Sequence, residues 1–119
     1  MGVKLDMFVN EPNPRVCEAG ELIFRAYDMA SEMYVVLEGE VELTIDSRVL
    51  ETLVPGEPFG EMALIDQAPR VATAIAKTPC KLAVLSEKRF LFMVQQTPHF
   101  ALQIMKVMAD RLRKMNERL

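Results

Sequence analysis

Short apolar segments alternate with turn residues through the first two thirds of the chain. A continuous apolar run at 34–37 predicts a buried strand, and the alternation of Val41, Leu43 and Ile45 with polar neighbours predicts a half-buried one. Comparable segments predict strands at 22–25, 49–53, 72–76 and 82–85. Turn-forming pairs such as Glu38-Gly39 and Pro55-Gly56 separate them. Many short strands at regular spacing are typical of a β-sandwich or barrel, so we expect a mainly β fold.

The C-terminal part of the chain changes to helical periodicity. Ser86 is a suitable N-cap for a helix at 87–96, and Thr97 followed by Pro98 predicts the start of a long last helix. Apolar residues recur there in steps of four and three, forming a heptad seam of Ala101, Met105, Met108, Leu112, Met115 and Leu119. We predict a parallel homodimer through this seam, with its first half also packing on the domain itself. The charged residues nearby are interpreted as a solvated face: Asp110, Arg111, Arg113, Lys114, Glu117 and Arg118.

Length and charge limit the kinds of protein to consider. The 119 residues suffice for one domain with one core, which we place at 16–119. Residues 1–15 are polar and proline-marked, and we expect a lead-in with at most one turn near 5–9. A net charge of −3 creates no field that attracts nucleic acid, and no apolar run approaches the ~20 residues that cross a bilayer. Without a signal-peptide pattern, we expect a cytoplasmic protein with neither nucleic acid nor membrane as a partner.

The reactive side chains are few. Cys17 and Cys80 lie far apart along the chain without metal-binding spacing, and we interpret them as reduced thiols. His99 is the only histidine, so the residues for a zinc, haem or iron–sulfur site are lacking. A single carboxylate such as Glu61, with no companion nucleophile or metal, does not form an acid–base pair. We therefore expect no metal, no cofactor and no catalytic residues, and thus no enzymatic activity.

Residues 59–73 carry the most specific chemistry in the chain. Phe59-Gly60-Glu61 leads into a predicted helical turn at 61–65, whose first N–H groups have no internal partner and attract anions. Pro69 is expected to stop this helix, and Arg70 follows as a fork-shaped donor suited to phosphate. A carboxylate for a sugar hydroxyl, free amides and an arginine together predict a site for a nucleotide monophosphate.

This segment resembles the phosphate-binding cassette of the cyclic nucleotide-binding domain family, which reads roughly F-G-E-hydrophobic-A-L, a few residues, P-R, a small residue and A-T. Further stretches similar to the family are 18–23, 33–41 and 53–56, so the resemblance covers about residues 16–119. It implies a double-stranded β-helix, or jelly-roll, barrel with this cassette and a long C-terminal helix.

The resemblance also implies roles for individual cassette residues. Glu61 is expected to accept a hydrogen bond from the ribose 2′-hydroxyl, and Arg70 to pair with the cyclic phosphate. Gly60 would permit close approach of the backbone, while Ala63 and Leu64 would act as N–H donors.

Two further features of the resemblance concern the base. A threonine at position 71 is associated with cGMP in the family, and Val71 lacks the hydroxyl, which favours cAMP over cGMP. Met115 and Asn116 fall where the last helix covers the adenine. The full set of expected ligand-binding residues is Phe59, Gly60, Glu61, Met62, Ala63, Leu64, Pro69, Arg70, Val71, Ala72, Met115 and Asn116.

One departure from the family pattern lies after the first predicted strand. The family usually has glycine followed by an acid, whereas this chain has Tyr27-Asp28. Because tyrosine rarely adopts the positive φ that glycine tolerates, we expect a reshaped loop there, away from the site residues.

The resulting hypothesis is a cAMP-binding sensor in which the ligand orders the cassette and draws the last helix over the base. The start at Met1 and the well-formed end favour a standalone sensor. Two alternatives remain open. One is a fragment of a larger regulator, such as the truncated sensor half of a DNA-binding transcription regulator. The other is an interaction scaffold with a vestigial pocket.

Overall fold

The structure, a computed structural model, describes residues 4–117. Within these described residues, a 3₁₀ turn at Asp6–Phe8 precedes eight antiparallel strands and three helices. The strands are β1 (Arg15–Cys17), β2 (Leu22–Phe24), β3 (Glu32–Glu38), β4 (Val41–Ile45), β5 (Arg48–Leu53), β6 (Pro58–Phe59), β7 (Thr73–Ala76) and β8 (Cys80–Ser86). The helices are α1 (Met62–Ile65), α2 (Glu87–Gln96) and α3 (Pro98–Glu117).

The strands form two four-stranded sheets that enclose the main core. One sheet has the order β1-β8-β3-β6 and the other β2-β7-β4-β5. Inward-facing residues of both sheets, such as Tyr34, Leu43 and Leu82, form one buried cluster. The expected mainly β fold with C-terminal helices is confirmed. The described strands remain two sheets with open edges instead of closing into one hydrogen-bonded barrel.

A second core lies on the outer face of β3 and β8. Val35 and Leu85 pack there against Phe100 and Ile104 of α3, which explains the continuous apolar run of β3, since both of its faces are buried. Phe8, from the 3₁₀ turn expected near residues 5–9, packs into the same cluster together with Leu5. The lead-in thus contributes two side chains to the second core, which its polar composition did not predict. The sequence analysis did not predict strand β1 (Arg15–Cys17), which follows the lead-in.

The two C-terminal helices begin close to the predicted positions. Ser86 caps α2, as its Oγ accepts a hydrogen bond from the backbone N–H of Arg89 at 3.2 Å. Pro98 is the first residue of α3. Within residues 4–117, the helices are too short or too polar to cross a membrane.

The face of α3 that packs on the domain differs from the predicted seam. The buried residues are Phe100, Ile104 and Val107, one position round the helix from Ala101, Met105 and Met108. Met108 is partly buried against the second core, whereas Met105 is 61% exposed. The expected packing of Ala101–Met108 on the domain therefore holds only in part, while Leu112 and Met115, in the second half of the seam, are exposed. Leu119 and Arg118, also part of the sequence interpretation, lie outside the described residues.

Candidate functional site

A cavity of about 240 Å³ lies between the cassette, the β2-β7-β4-β5 sheet and helix α3. Its wall is mostly apolar, and Glu61, Arg70 and Arg111 are the charged residues among those described that line it. The apolar wall includes Phe24, Leu43, Ile45, Leu50, Met108 and Leu112. A pocket of this kind suits a flat apolar group joined to a charged one.

The backbone of the cassette brings Gly60 and Arg70 into contact. Gly60 has a φ of 79°, and its carbonyl accepts a hydrogen bond from Arg70 Nη1 at 2.8 Å. A Cβ at position 60 would lie 2.7 Å from that same nitrogen, so a side chain there would displace the guanidinium. Glycine is therefore required for both its φ and its small size.

Helix α1 ends where the sequence predicts, but Pro69 is not the residue that ends it. The helix ends at Ile65, and Gln67 then takes a positive φ of 54°. Pro69, expected to stop the helix, lies further along in an exposed loop. The chain has already left the helical conformation before the proline exerts its effect.

Arg70 is a buried cation without a carboxylate partner. Its residue is 4% exposed, and Nη2 donates to the Glu32 carbonyl at 2.7 Å. The guanidinium carbon lies 4.1 Å from the centre of the Phe24 ring. Within residues 4–117 no carboxylate forms an ion pair with it, and its buried Nε lacks a hydrogen-bond acceptor. Burial, the largest influence, lowers the pKa of Arg70.

The loop at Tyr27-Asp28 positions this arginine. The N–H of Tyr27 donates to the Arg70 carbonyl at 2.7 Å, and the N–H of Arg70 donates to the Asp28 carbonyl at 2.8 Å. Tyr27 itself adopts a φ of 75°. The expectations that the tyrosine avoids this conformation and that the loop is remote from the site were both wrong. Two backbone hydrogen bonds to the Arg70 segment hold the loop in a conformation that tyrosine adopts only at a cost.

The carboxylate of Glu61 is paired with an arginine of α3. This carboxylate is 2% exposed and forms an ion pair with Arg111, whose guanidinium also donates to Glu51 at 3.0 Å and to the Pro58 carbonyl. Lys114 Nζ lies 3.0 Å from the other oxygen of Glu51. These residues form a charged cluster, Glu51–Glu61–Arg111–Lys114, that joins β5, the cassette and α3.

The contacts within the cluster shift the pKa values of Glu51 and Arg111. Burial opposes ionisation of Glu51, but Arg111 and Lys114 hold the pKa of its carboxyl below the ordinary value. Burial likewise opposes the charge of Arg111, but Glu61 and Glu51 raise its pKa. The interpretation of Arg111 as part of a solvated face was therefore wrong. The sequence does carry a signal for the correct position of Arg111. The residues of the packed face recur in steps of four and three, and Arg111 continues the series Phe100, Ile104 and Val107.

The structure brings most of the predicted ligand residues to the cavity. Those that line it are Gly60, Glu61, Met62, Ala63, Arg70, Val71, Ala72 and Met115. Phe59 instead lies in the main core, stacked on Tyr34, while Pro69 and Asn116 are exposed and do not line it. The prediction that Leu64 offers a free N–H was wrong for this conformation. That group donates to the Glu61 carbonyl at 3.0 Å, and the Leu64 side chain packs into the second core.

Known proteins share both the sequence pattern and the fold. The family model of the cyclic nucleotide-binding domain matches residues 14–97. The cyclic AMP receptor protein of Thermus thermophilus is 31% identical over 116 residues, which cover 93% of this chain and 54% of that protein.

Solved structures agree with this match. The crystal structure of the Thermus thermophilus catabolite activator protein matches with a TM-score of 0.80 and 31% identity, covering 89% of this chain and 52% of that one. The co-crystal structure of the regulatory domain of Toxoplasma gondii PKA with cAMP has a TM-score of 0.62 and 34% identity, covering 66% and 31%. The chain spans about half the length of the Thermus relative. It belongs to the cyclic nucleotide-binding domain family, as the cassette indicated.

Proposed function

We propose that this domain binds cAMP in the cavity beside the cassette and transmits binding through helix α3, without catalysing a reaction. The names of two similar proteins support this ligand: a cyclic AMP receptor protein, and a regulatory domain crystallised with cAMP. The site geometry supplies the physical argument.

Arg70 is the observation that carries the proposal. A buried guanidinium without a carboxylate is costly, because burial removes water without supplying an opposite charge. Its Nη1 and Nη2 donate to backbone carbonyls, and its Nε has no acceptor among residues 4–117. An anionic phosphate in the cavity would supply both the missing charge and the missing acceptor.

Glu61 is the proposed partner of the ribose 2′-hydroxyl. In the structure its carboxylate is paired with Arg111 of α3, so the hydroxyl would share or replace that contact. A ligand that competes for Glu61 favours a different position of α3 in proportion to its differential affinity for the two positions. Binding of the ligand at Glu61 would in this way be coupled to the position of helix α3.

The wall of the cavity favours adenine over guanine in this proposal. Val71 lines the cavity and offers no hydroxyl to a guanine amino group, while Met115 supplies a polarisable surface for a ring. Asn116, exposed here, would need α3 to move or extend before it reached the base.

Titration calorimetry with cAMP, cGMP and the non-cyclic control 5′-AMP tests the proposal. We expect cAMP to bind in the micromolar range or tighter, with cGMP weaker and 5′-AMP weaker still. Equal or stronger cGMP binding would contradict the assignment of the base. The absence of heat with either cyclic nucleotide would contradict the function and favour a scaffold with a vestigial pocket.

We also propose that a second copy of this chain covers the exposed apolar stripe of α3. Met105, Leu112 and Met115 are exposed along one side of the helix, and the last two also border the cavity. Two such helices side by side would bury these residues in a short coiled coil. Because methionine specifies packing weakly, dimerisation should depend on concentration.

A further inference from the structure

Two cysteines that are distant in sequence are direct neighbours in the fold. Strands β1 and β8 pair antiparallel, and Cys17 is the register partner of Cys80. Both side chains are buried in the same core cluster, so they project from the same face of the sheet. Both are free thiols in the structure.

The register satisfies the main distance requirement of a disulfide. Facing residues of an antiparallel pair have Cα atoms about 4.5–5.5 Å apart. Disulfides join residues whose Cα atoms lie about 4.4–6.8 Å apart. The Cα separation typical of this register therefore lies within the range of a disulfide, and forming the bond requires the two side chains to rotate toward one another.

The present contacts of the thiols leave this rotation feasible. The Cys80 sulfur lies 3.1 Å from the carbonyl oxygens of Glu40 and Thr78, which share its single S–H donor. The Glu40 carbonyl also accepts the N–H of Lys77 at 2.9 Å, so it stays satisfied when the thiol turns away. Burial is the largest cause that raises the pKa of Cys17, which makes the closed conformation slow to react.

Strand β1 provides a way in for an oxidant. It is a three-residue strand at the edge of its sheet, held by three register pairs to β8. Short edge strands open locally at low free-energy cost, and opening of β1 would expose both thiols.

We propose that Cys17 and Cys80 are a redox pair that forms a reversible cross-strand disulfide and locks β1 onto β8. With a small-molecule disulfide such as oxidised glutathione, one cysteine thiolate attacks a glutathione sulfur, and glutathione thiolate leaves. The second cysteine then attacks the protein sulfur of the mixed disulfide, forming the internal S–S bond and releasing the second glutathione. Two protein thiols are oxidised and one glutathione disulfide is reduced to two thiols.

The disulfide would stabilise the fold without entering the nucleotide site. It would close a long loop of chain, which restricts the unfolded state. It would tie the strand after the lead-in to β8, the strand that runs directly into α2. Neither cysteine lines the cavity, so the inference does not depend on the proposed ligand.

Incubation of the full chain in glutathione redox buffers tests the pair. A disulfide oxidant is chosen over peroxide because the chain has nine methionines that peroxide would also oxidise. Equilibrium is approached both from native protein and from chain refolded in the same buffer, so slow reaction of a buried thiol does not obscure the result. We expect the intact mass to fall by two hydrogen atoms, both thiols to become unreactive and the melting temperature to rise, all reversed by dithiothreitol.

Matched variants identify the bond. Cys17→Ser and Cys80→Ser each retain one thiol, and neither should show the mass loss or the rise in melting temperature. Peptide mapping should recover a linked Cys17–Cys80 peptide from the wild type. Persistent free thiols, a stable glutathione adduct or a disulfide between two chains would each overturn the inference.

Discussion

The charged cluster between α3 and β5 should contribute measurable stability, and Glu51→Gln is the substitution that isolates it. The change keeps the size and shape of the side chain and removes one charge. In the structure that charge accepts hydrogen bonds from Arg111 Nε and Lys114 Nζ, each at 3.0 Å. Arg111 retains its contacts with Glu61 and the Pro58 carbonyl, so the variant should still fold.

The magnitude follows from the burial of each pair. A hydrogen bond to a charged group contributes about 1.5–3 kcal/mol to stability. Glutamine can still accept a hydrogen bond from the buried Arg111, so we take the lower end, about 1.5 kcal/mol, for this loss. Lys114 is 42% exposed, and solvent screening reduces its share to about 0.5 kcal/mol. The variant should therefore lose about 2 kcal/mol of unfolding free energy at neutral pH, or roughly 8 °C in melting temperature for a domain of this size.

The pH dependence gives an independent check. Arg111 and Lys114 outweigh the burial of Glu51 and hold its folded-state pKa below the ordinary value of 4.5. The unfolded chain therefore takes up this proton first as the pH falls. The stabilisation is complete above the unfolded pKa and is lost as the pH falls through the folded pKa. The difference in unfolding free energy between wild type and Glu51→Gln should therefore have its full value at neutral pH. It should disappear once the pH is below the folded-state pKa of Glu51.

Urea denaturation and thermal melts from neutral pH to about pH 3 measure both effects. Glu38→Gln is the matched control, because Glu38 is 65% exposed and pairs with Lys81 at 3.6 Å, so its loss should cost less than about 0.5 kcal/mol. The reasoning is refuted if Glu51→Gln matches the control at neutral pH. It is also refuted if the gap stays constant in acid, which would indicate altered packing instead of lost charge.

Two further predictions concern the ligand and the dimer. Arg70→Ala and Arg70→Lys should weaken cAMP binding by about ten- to a hundred-fold in calorimetry, since a charge-assisted hydrogen bond contributes about 1.5–3 kcal/mol and lysine lacks the fork. Arg48→Ala, at an exposed arginine of β5, is the control, and a change below threefold for Arg70→Ala in a folded protein would exclude the phosphate role. Light scattering at rising concentration, with and without cAMP, should show a mass approaching twice 13.5 kDa. Met105→Glu, outside the cavity, should abolish this increase, and a monomer at all concentrations would exclude the dimer.

Local sequence signals predicted the parts of the fold that neighbouring residues determine. The alternation of Val41, Leu43 and Ile45 gave β4, and the apolar run at 34–37 gave the centre of β3. Gly60 and Arg70 were recognised because the cassette pattern at 59–73 combines a glycine that permits close approach of the backbone with a fork-shaped cation suited to phosphate.

Contacts set by tertiary packing were not predictable in the same way. The rotation of α3 depends on which of two apolar faces packs better on β3 and β8, and the chain carries both Phe100-Ile104-Val107 and Met105-Leu112-Met115. The pairing of Cys17 with Cys80 depends on the register of two strands far apart in sequence, and the three-residue strand β1 carries too little pattern to define it.

Glu51 also explains how the proposed ligand could compete for Glu61 without leaving Arg111 unpaired. A buried charge that loses its partner is strongly destabilising, so a simple exchange of Arg111 for a ribose hydroxyl would be costly. Here Arg111 would keep Glu51 and the Pro58 carbonyl when Glu61 turned to the ligand. Glu61, 2% exposed, would have a donor in both states. The second carboxylate thus lowers the cost of freeing Glu61, and a small cost is what allows the modest differential affinity of a nucleotide to break the link between the cassette and α3.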